Sequence, residues 1–247
     1  ELAALVLLDS AKLQQEFVDR EERREQRDPA RAARDERREH KAVDAAIAEA
    51  AERDPEVLLR SQAPHLHLDP GTPLYLEADV LAAMRRFRPV DYGVEFEVAP
   101  GVRATLFDAG HILGSAMIRM RVTEGGKDTV LVFSGDLGRC DTPIIRDPTA
   151  LTDADHLVVE STYGGREHEP EAEALRILSE TVRLVADNKG VLLVPSFAIG
   201  RTQEVVYQLD RLIETGTIPH LTLYLDSPMA SKATEIYRRH TECYDDD

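Results

Sequence analysis

Three short apolar runs, each closed by a turn carrying one metal-compatible side chain, constrain this chain more than any other feature. Val102-Arg-Ala-Thr-Leu-Phe107 leads into Asp-Ala-Gly-His111, and Val130-Leu-Val-Phe133 leads into Ser-Gly-Asp136. His156-Leu-Val-Val159 leads into Glu160-Ser-Thr-Tyr-Gly164. Runs of this length between turn residues read as strands. Loops leaving one edge of a sheet can bring His111, Asp136 and Glu160 to one point, although they lie about 25 residues apart in the chain. Imidazole with carboxylates is a borderline-to-hard donor set, suited to zinc or a similar divalent ion. Alone, each of these residues reads as an ordinary turn residue; three such loops in succession do not.

The surrounding pattern divides the chain. Residues 1–17 read as an amphipathic helix with Leu2, Leu5, Val6, Leu13 and Phe17 on one side. From Asp19 to Arg53 the sequence is nearly all charged residues, Gln and Ala, broken at Asp28-Pro29. It reads as two charged helices, the second with a thin stripe of Val43, Ala46, Ile47 and Ala50, forming either a solvated hairpin or a partner-binding or dimerising arm. A Pro-rich connector fills 55–72, Glu77–Arg86 reads as a helix, and Tyr92–Glu97 as a strand. The strands between Tyr92 and Val159 alternate with turns, so an antiparallel layer is expected. After Glu160 the rhythm becomes βαβα: helix Glu171–Asp187, strand Val191–Val194, helix Gly200–Thr215, strand Leu221–Leu225, and a helix from about Ala230. That rhythm predicts a parallel sheet in a second domain. Ser196-Phe-Ala-Ile-Gly-Arg201 then lies at the carboxyl end of a strand, where open α/β sheets bind ligands. Ser196, the helix-start amides and Arg201 could hold a phosphate there; the competing reading is a simple turn with Arg201 paired to a carboxylate. Phe197 could stack on a base, but it is expected in the core.

Together, Asp-x-Gly-His-Ile-Leu-Gly-Ser115, Ser134-Gly-Asp136, Glu160-Ser-Thr-Tyr-Gly164 and Pro195-Ser-Phe-Ala-Ile-Gly-Arg201 resemble the β-CASP branch of the metallo-β-lactamase superfamily of RNA-processing nucleases, as does Leu225-Asp-Ser-Pro-Met-Ala230. The resemblance covers roughly residues 1–15 and 73–247. It implies an α/β fold: part of a metallo-β-lactamase αββα sandwich over 1–168, with 19–72 a charged helical insertion and connector. An inserted parallel-sheet β-CASP domain, also in part, is implied over 169–247. It further implies a metal-dependent RNA hydrolase, endo- or 5′-exonucleolytic, with two zinc ions. On this resemblance His111 is a zinc ligand, Asp136 a metal-bridging catalytic carboxylate, and Glu160 the acidic residue that marks the branch. His168 matches a histidine often found at this place, and Ser196 and Arg201 are substrate-binding. Asp108 is a candidate hydrogen-bond acceptor behind the metal ligand.

The superfamily's His-x-His-x-Asp-His motif would precede residues 2–10, and two further histidine motifs would follow Asp247. The chain therefore reads as an internal fragment, expected to be inactive alone. His65, His67 and Asp69 in Pro64-His-Leu-His-Leu-Asp-Pro70 imitate the first motif, but Pro70 replaces its last histidine and no apolar strand precedes them. They read as loop residues. Two other functions stay open: a non-catalytic scaffold of an RNA-processing complex, which intact His111, Asp136 and Glu160 disfavour, and a small-molecule metallo-hydrolase, which would lack the Glu-Ser-Thr-Tyr-Gly and Ser-Phe-Ala-x-Gly-Arg segments.

A net charge of −16 argues against non-specific nucleic-acid binding over the whole surface, yet allows local phosphate capture by metals, arginines and helix N-termini. No apolar run reaches the ~18 residues of a membrane span. The two cysteines, Cys140 and Cys243, form no Cys-x-x-Cys pair and fit a reducing, cytoplasmic setting. A homodimer is compatible with the charged arm.

Overall fold

The computed structural model describes residues 1–31, 34, 37, 38, 41, 45, 72–167 and 170–245. The stripe Val43, Ala46, Ile47 and Ala50, the motif-like His65, His67 and Asp69, and His168 lie outside the described residues. Packing divides the chain into two compact units, Glu1–Phe87 and Arg88–Asp247.

The first unit is built on helix α1 (Leu2–Arg27) and helix α2 (Glu77–Met84). Helix α1 runs ten residues past the expected end and stops at Asp28, whose backbone (φ −147°, ψ 77°) is outside the helical region that a following proline disfavours. Its buried stripe passes through Ala11 and Val18, seven residues apart, which leaves Leu13 and Phe17 exposed. The face expected from sequence is thus turned: positions 13 and 17 are displaced by most of a half-turn from Ala11. Short polar contacts dock the segment before α2. Tyr75 Oη donates to Ser10 Oγ (2.8 Å), and the Leu74 amide donates to Gln14 Oε1 (2.8 Å). At the start of α2, Asp79 Oδ2 accepts the Leu76 amide at 2.9 Å.

The second unit contains a five-stranded sheet in sequential order: β1 (Phe96–Ala99), β2 (Val102–Asp108), β3 (Ala116–Glu124), β4 (Lys127–Phe133) and β5 (His156–Val158). The first four strands are antiparallel and β5 joins β4 in parallel. The antiparallel layer is therefore present, with β3 a strand that the apolar runs alone do not single out. Strand β1 begins later than expected because Asp91–Val94 forms a turn (Val94 amide to Asp91 carbonyl, 3.4 Å). Because β2 and β4 both run opposite to β3, and β5 runs with β4, all three strands that precede His111, Asp136 and Glu160 end at one edge.

Helices α3 (Glu171–Asp187), α4 (Arg201–Glu214) and α5 (Pro228–Arg239) follow. Val182 of α3, Leu209 of α4 and Ile218 form a buried cluster supported by Leu178, Val205 and Leu212. Helix α5 starts on Ser227, whose Oγ accepts the Ala230 amide (3.1 Å), with Pro228 in the first turn. Its inner face is Ala230, Ala233, Ile236 and Tyr237, all buried. The parallel sheet expected here is not formed: 191–194 and 221–225 carry no ladder among the described residues. Val191 and Leu193 are each 83% exposed. An apolar run supplies β propensity, but a strand also needs a neighbour to take its backbone hydrogen bonds.

Candidate functional site

The sheet edge gathers three loops, and backbone hydrogen bonds lock them to one another. Loop 109–115, after β2, is closed by Ser115, whose Oγ accepts the amides of His111 (3.1 Å) and Ile112 (3.2 Å). The Ser115 carbonyl takes the Tyr92 hydroxyl at 2.8 Å. Loop 134–138, after β4, is fastened to the first by the Gly138 amide, which donates to the Ala109 carbonyl at 2.8 Å. The approach here is so close that a Cβ on residue 138 would fall 1.5 Å from the Gly110 carbonyl oxygen, so only glycine fits. The loop after β5 joins through Glu160. Its amide donates to Ser134 Oγ (3.1 Å), and its carboxylate accepts the Leu137 amide (2.7 Å).

This lattice brings His111 Nε2 to 3.9 Å from Asp136 Oδ2. Two donors each ~2.0–2.2 Å from one ion lie at most ~4.4 Å apart, so the pair is within reach of a shared divalent cation. Both side chains face solvent, at 43% and 79% exposure. In kind the donors fit zinc; in number they supply two, and no cluster of three or more His, Cys, Asp or Glu side chains forms among the described residues. The Glu160 carboxyl is held below its ordinary range, first by the Thr162 side chain, then by the Leu137 amide, with a smaller contribution from His111. Asp108 is not directed to His111. Its carboxyl faces Arg146 (4.0 Å) and the Tyr92 hydroxyl, and burial raises it above the usual range. The same burial, with Asp108 adding to it, pushes Tyr92 up to about 12.

The loop around Ser196 adjoins this edge. Gly200 adopts φ +80°, and a Cβ there would lie 2.7 Å from Ile112 Cγ2, so the two loops touch. The amides of Arg201 and Thr202 are already bonded to the carbonyls of Ile199 (3.1 Å) and Phe197 (3.2 Å). That leaves the exposed Ser196 hydroxyl and the Arg201 guanidinium as the groups facing outward. Arg201 Nη1 pairs with Glu204 Oε2 at 2.7 Å, and Arg139 Nη2 reaches Glu204 Oε1 at 3.5 Å. Phe197 is 86% exposed, which corrects its expected core role; its carbonyl accepts the Thr202 hydroxyl at 2.7 Å. Sequence reasoning assigned no role to Ser134, Gly138, Arg139 or Tyr237. Ser134 and Gly138 carried a readable signal, as members of Ser134-Gly-Asp-Leu-Gly138.

Among known proteins, a family model for the Beta-Casp domain matches residues 202–247. A ribonuclease of Thermus thermophilus is 35% identical over 167 residues, 68% of this chain and 37% of that protein. The transcription termination factor FttA of Methanocaldococcus jannaschii is 33% identical, over 68% of this chain and 26% of its own length. Subunit 3 of the cleavage and polyadenylation specificity factor of Dictyostelium discoideum is 31% identical, over 70% and 22%. The chain thus spans between 22% and 37% of the length of these relatives.

Proposed function

We propose that this chain, which belongs to the β-CASP branch of the metallo-β-lactamase superfamily, forms part of a metal-dependent RNA hydrolase that cleaves phosphodiester bonds. The observation that carries the reading is the 3.9 Å approach of His111 Nε2 to Asp136 Oδ2 at one sheet edge, with Glu160 bonded into the Asp136 loop. Residues 1–168 are assigned to the metallo-β-lactamase portion and 169–247 to the β-CASP portion, within which the family match at 202–247 falls. A relative named as a ribonuclease supports RNA as the substrate, and the reading covers endo- and 5′-exonucleolytic cleavage alike.

His111, through its imidazole, and Asp136, through its carboxylate, would hold the zinc. When bound, zinc would neutralise phosphate charge and activate the attacking water. Glu160, kept ionised by Thr162 and the Leu137 amide, is an acceptor that can orient a protonated partner beside the leaving oxygen. His168, which matches a histidine often found at this place in the family, would take part in catalysis. Ser196 and Arg201 would take a backbone phosphate, Arg201 exchanging the Glu204 carboxylate for it. No helix among the described residues is long and apolar enough to cross a membrane, and the free thiols Cys140 and Cys243 support a cytoplasmic setting.

The test is RNA hydrolysis by the intact protein with zinc. Asp136→Ala and a chelator should each reduce cleavage to background, while the thermal midpoint of the variant stays close to that of the wild type. Wild-type turnover in Asp136→Ala at normal zinc content would remove Asp136 from the active site, and absence of zinc-dependent cleavage by the wild-type protein would instead favour the scaffold reading.

A further inference from the structure

Loop 109–115 has one fastening that is remote in sequence. The Leu113 amide donates to Tyr237 Oη at 3.1 Å, across 124 residues of chain. Tyr237 lies on the inner face of α5 and is 3% exposed. The same helix holds the start of α4, where Gln203 Nε2 donates to Thr234 Oγ1 at 3.0 Å. Gly200 stands directly against Ile112, so the His111 loop and the Ser196–Arg201 loop also touch.

We infer that Tyr237 is a positioning residue whose phenolic oxygen fastens the His111 loop to α5, the helix that also holds the start of α4, and so fixes the metal donors relative to the phosphate-binding side chains. Burial raises the phenol above its ordinary range. Without that oxygen the Leu113 amide loses its acceptor, and the His111 loop loses its hydrogen bond to α5. A substrate phosphate must meet both loops in one geometry, and a misplacement of ~1 Å can cost ~10²-fold in rate. The inference rests on the RNA-hydrolase reading for its consequence, though not for its geometry.

Tyr237→Phe keeps the ring and removes only the oxygen. In the intact zinc-loaded protein, kcat for a short RNA should fall roughly 10- to 100-fold while KM stays within about twofold. In the metal-free protein, hydrogen exchange should quicken at Leu113 and leave the β3–β4 ladder unchanged. Unaltered exchange and turnover in Tyr237→Phe would mean that the ring acts by packing alone, and the inference would fall. If the variant does not fold, wild-type exchange decides: slow exchange at the Leu113 amide supports the tie, and free-loop exchange there overturns it. Because that arm needs neither metal nor RNA, it stands apart from failure of the hydrolase reading, which Asp136→Ala reports.

Discussion

The loops around His111 and the stretch from Gly190 to Asp226 both follow apolar segments, yet they are held in opposite ways. Around His111, each turn is bonded to the next: Ser115 to two amides, Gly138 to Ala109, Glu160 to Ser134 and Leu137. In the second region, Val191, Leu193 and Tyr224 face solvent, and the fixed points are α4 within it, with Leu209 and Ile218 packed on Val182 of α3. A set of loops that hydrogen-bond one another can fix a metal-donor geometry from local contacts. The loop at Ser196–Arg201, proposed to bind phosphate, lies between exposed segments and keeps its side chains outward. The difference suits a division of labour in which one region sets chemistry and the other captures substrate.

The sharpest way to break this contrast is a pair of substitutions. Gly138→Ala forces a methyl against the Gly110 carbonyl, and should cost about 3 kcal/mol or more in a denaturant titration. Phe197→Ala, at an exposed position, should stay within about 0.5 kcal/mol. Equal costs would show that the two regions are not held differently. Smaller in effect, Arg201→Ala should weaken RNA binding and flatten the dependence of log affinity on log salt by about 0.7–0.9, the loss of one phosphate contact. An unchanged slope would assign Arg201 to its Glu204 pair alone.

The smallest expected effect is on pH dependence. Glu160 is depressed in the folded state, so its contribution to stability is present above the ordinary carboxylate range, roughly pH 4, and is lost as pH falls through its lower folded value. Asp108, raised by burial, acts with the opposite sign: it takes up its proton earlier in the folded state. Glu160→Gln should therefore flatten the acid limb of stability against pH, and Asp108→Asn should not.

What the sequence made legible follows the range of the contacts. The convergence of His111 and Asp136 rests on short strands and adjoining turns, and strand direction places both loops at one edge once the meander is read. The link from Leu113 to Tyr237 spans 124 residues and depends on which face α5 buries, which no local pattern near His111 encodes. Phe197 reads as core by composition and stands exposed because its neighbours turn the chain outward. Leu13 and Phe17 misplace the buried face of α1 for a related reason: an apolar side chain is not bound to be inside. The runs 191–194 and 221–225 have strand composition, while a ladder depends on a partner that composition does not name.

Anomalous diffraction at the zinc edge from crystals of the intact protein tests the central claim most directly. A peak ~2.0–2.2 Å from both His111 Nε2 and an oxygen of Asp136 is the predicted result. A fully occupied zinc site elsewhere in the protein, with His111 and Asp136 bare, would contradict it.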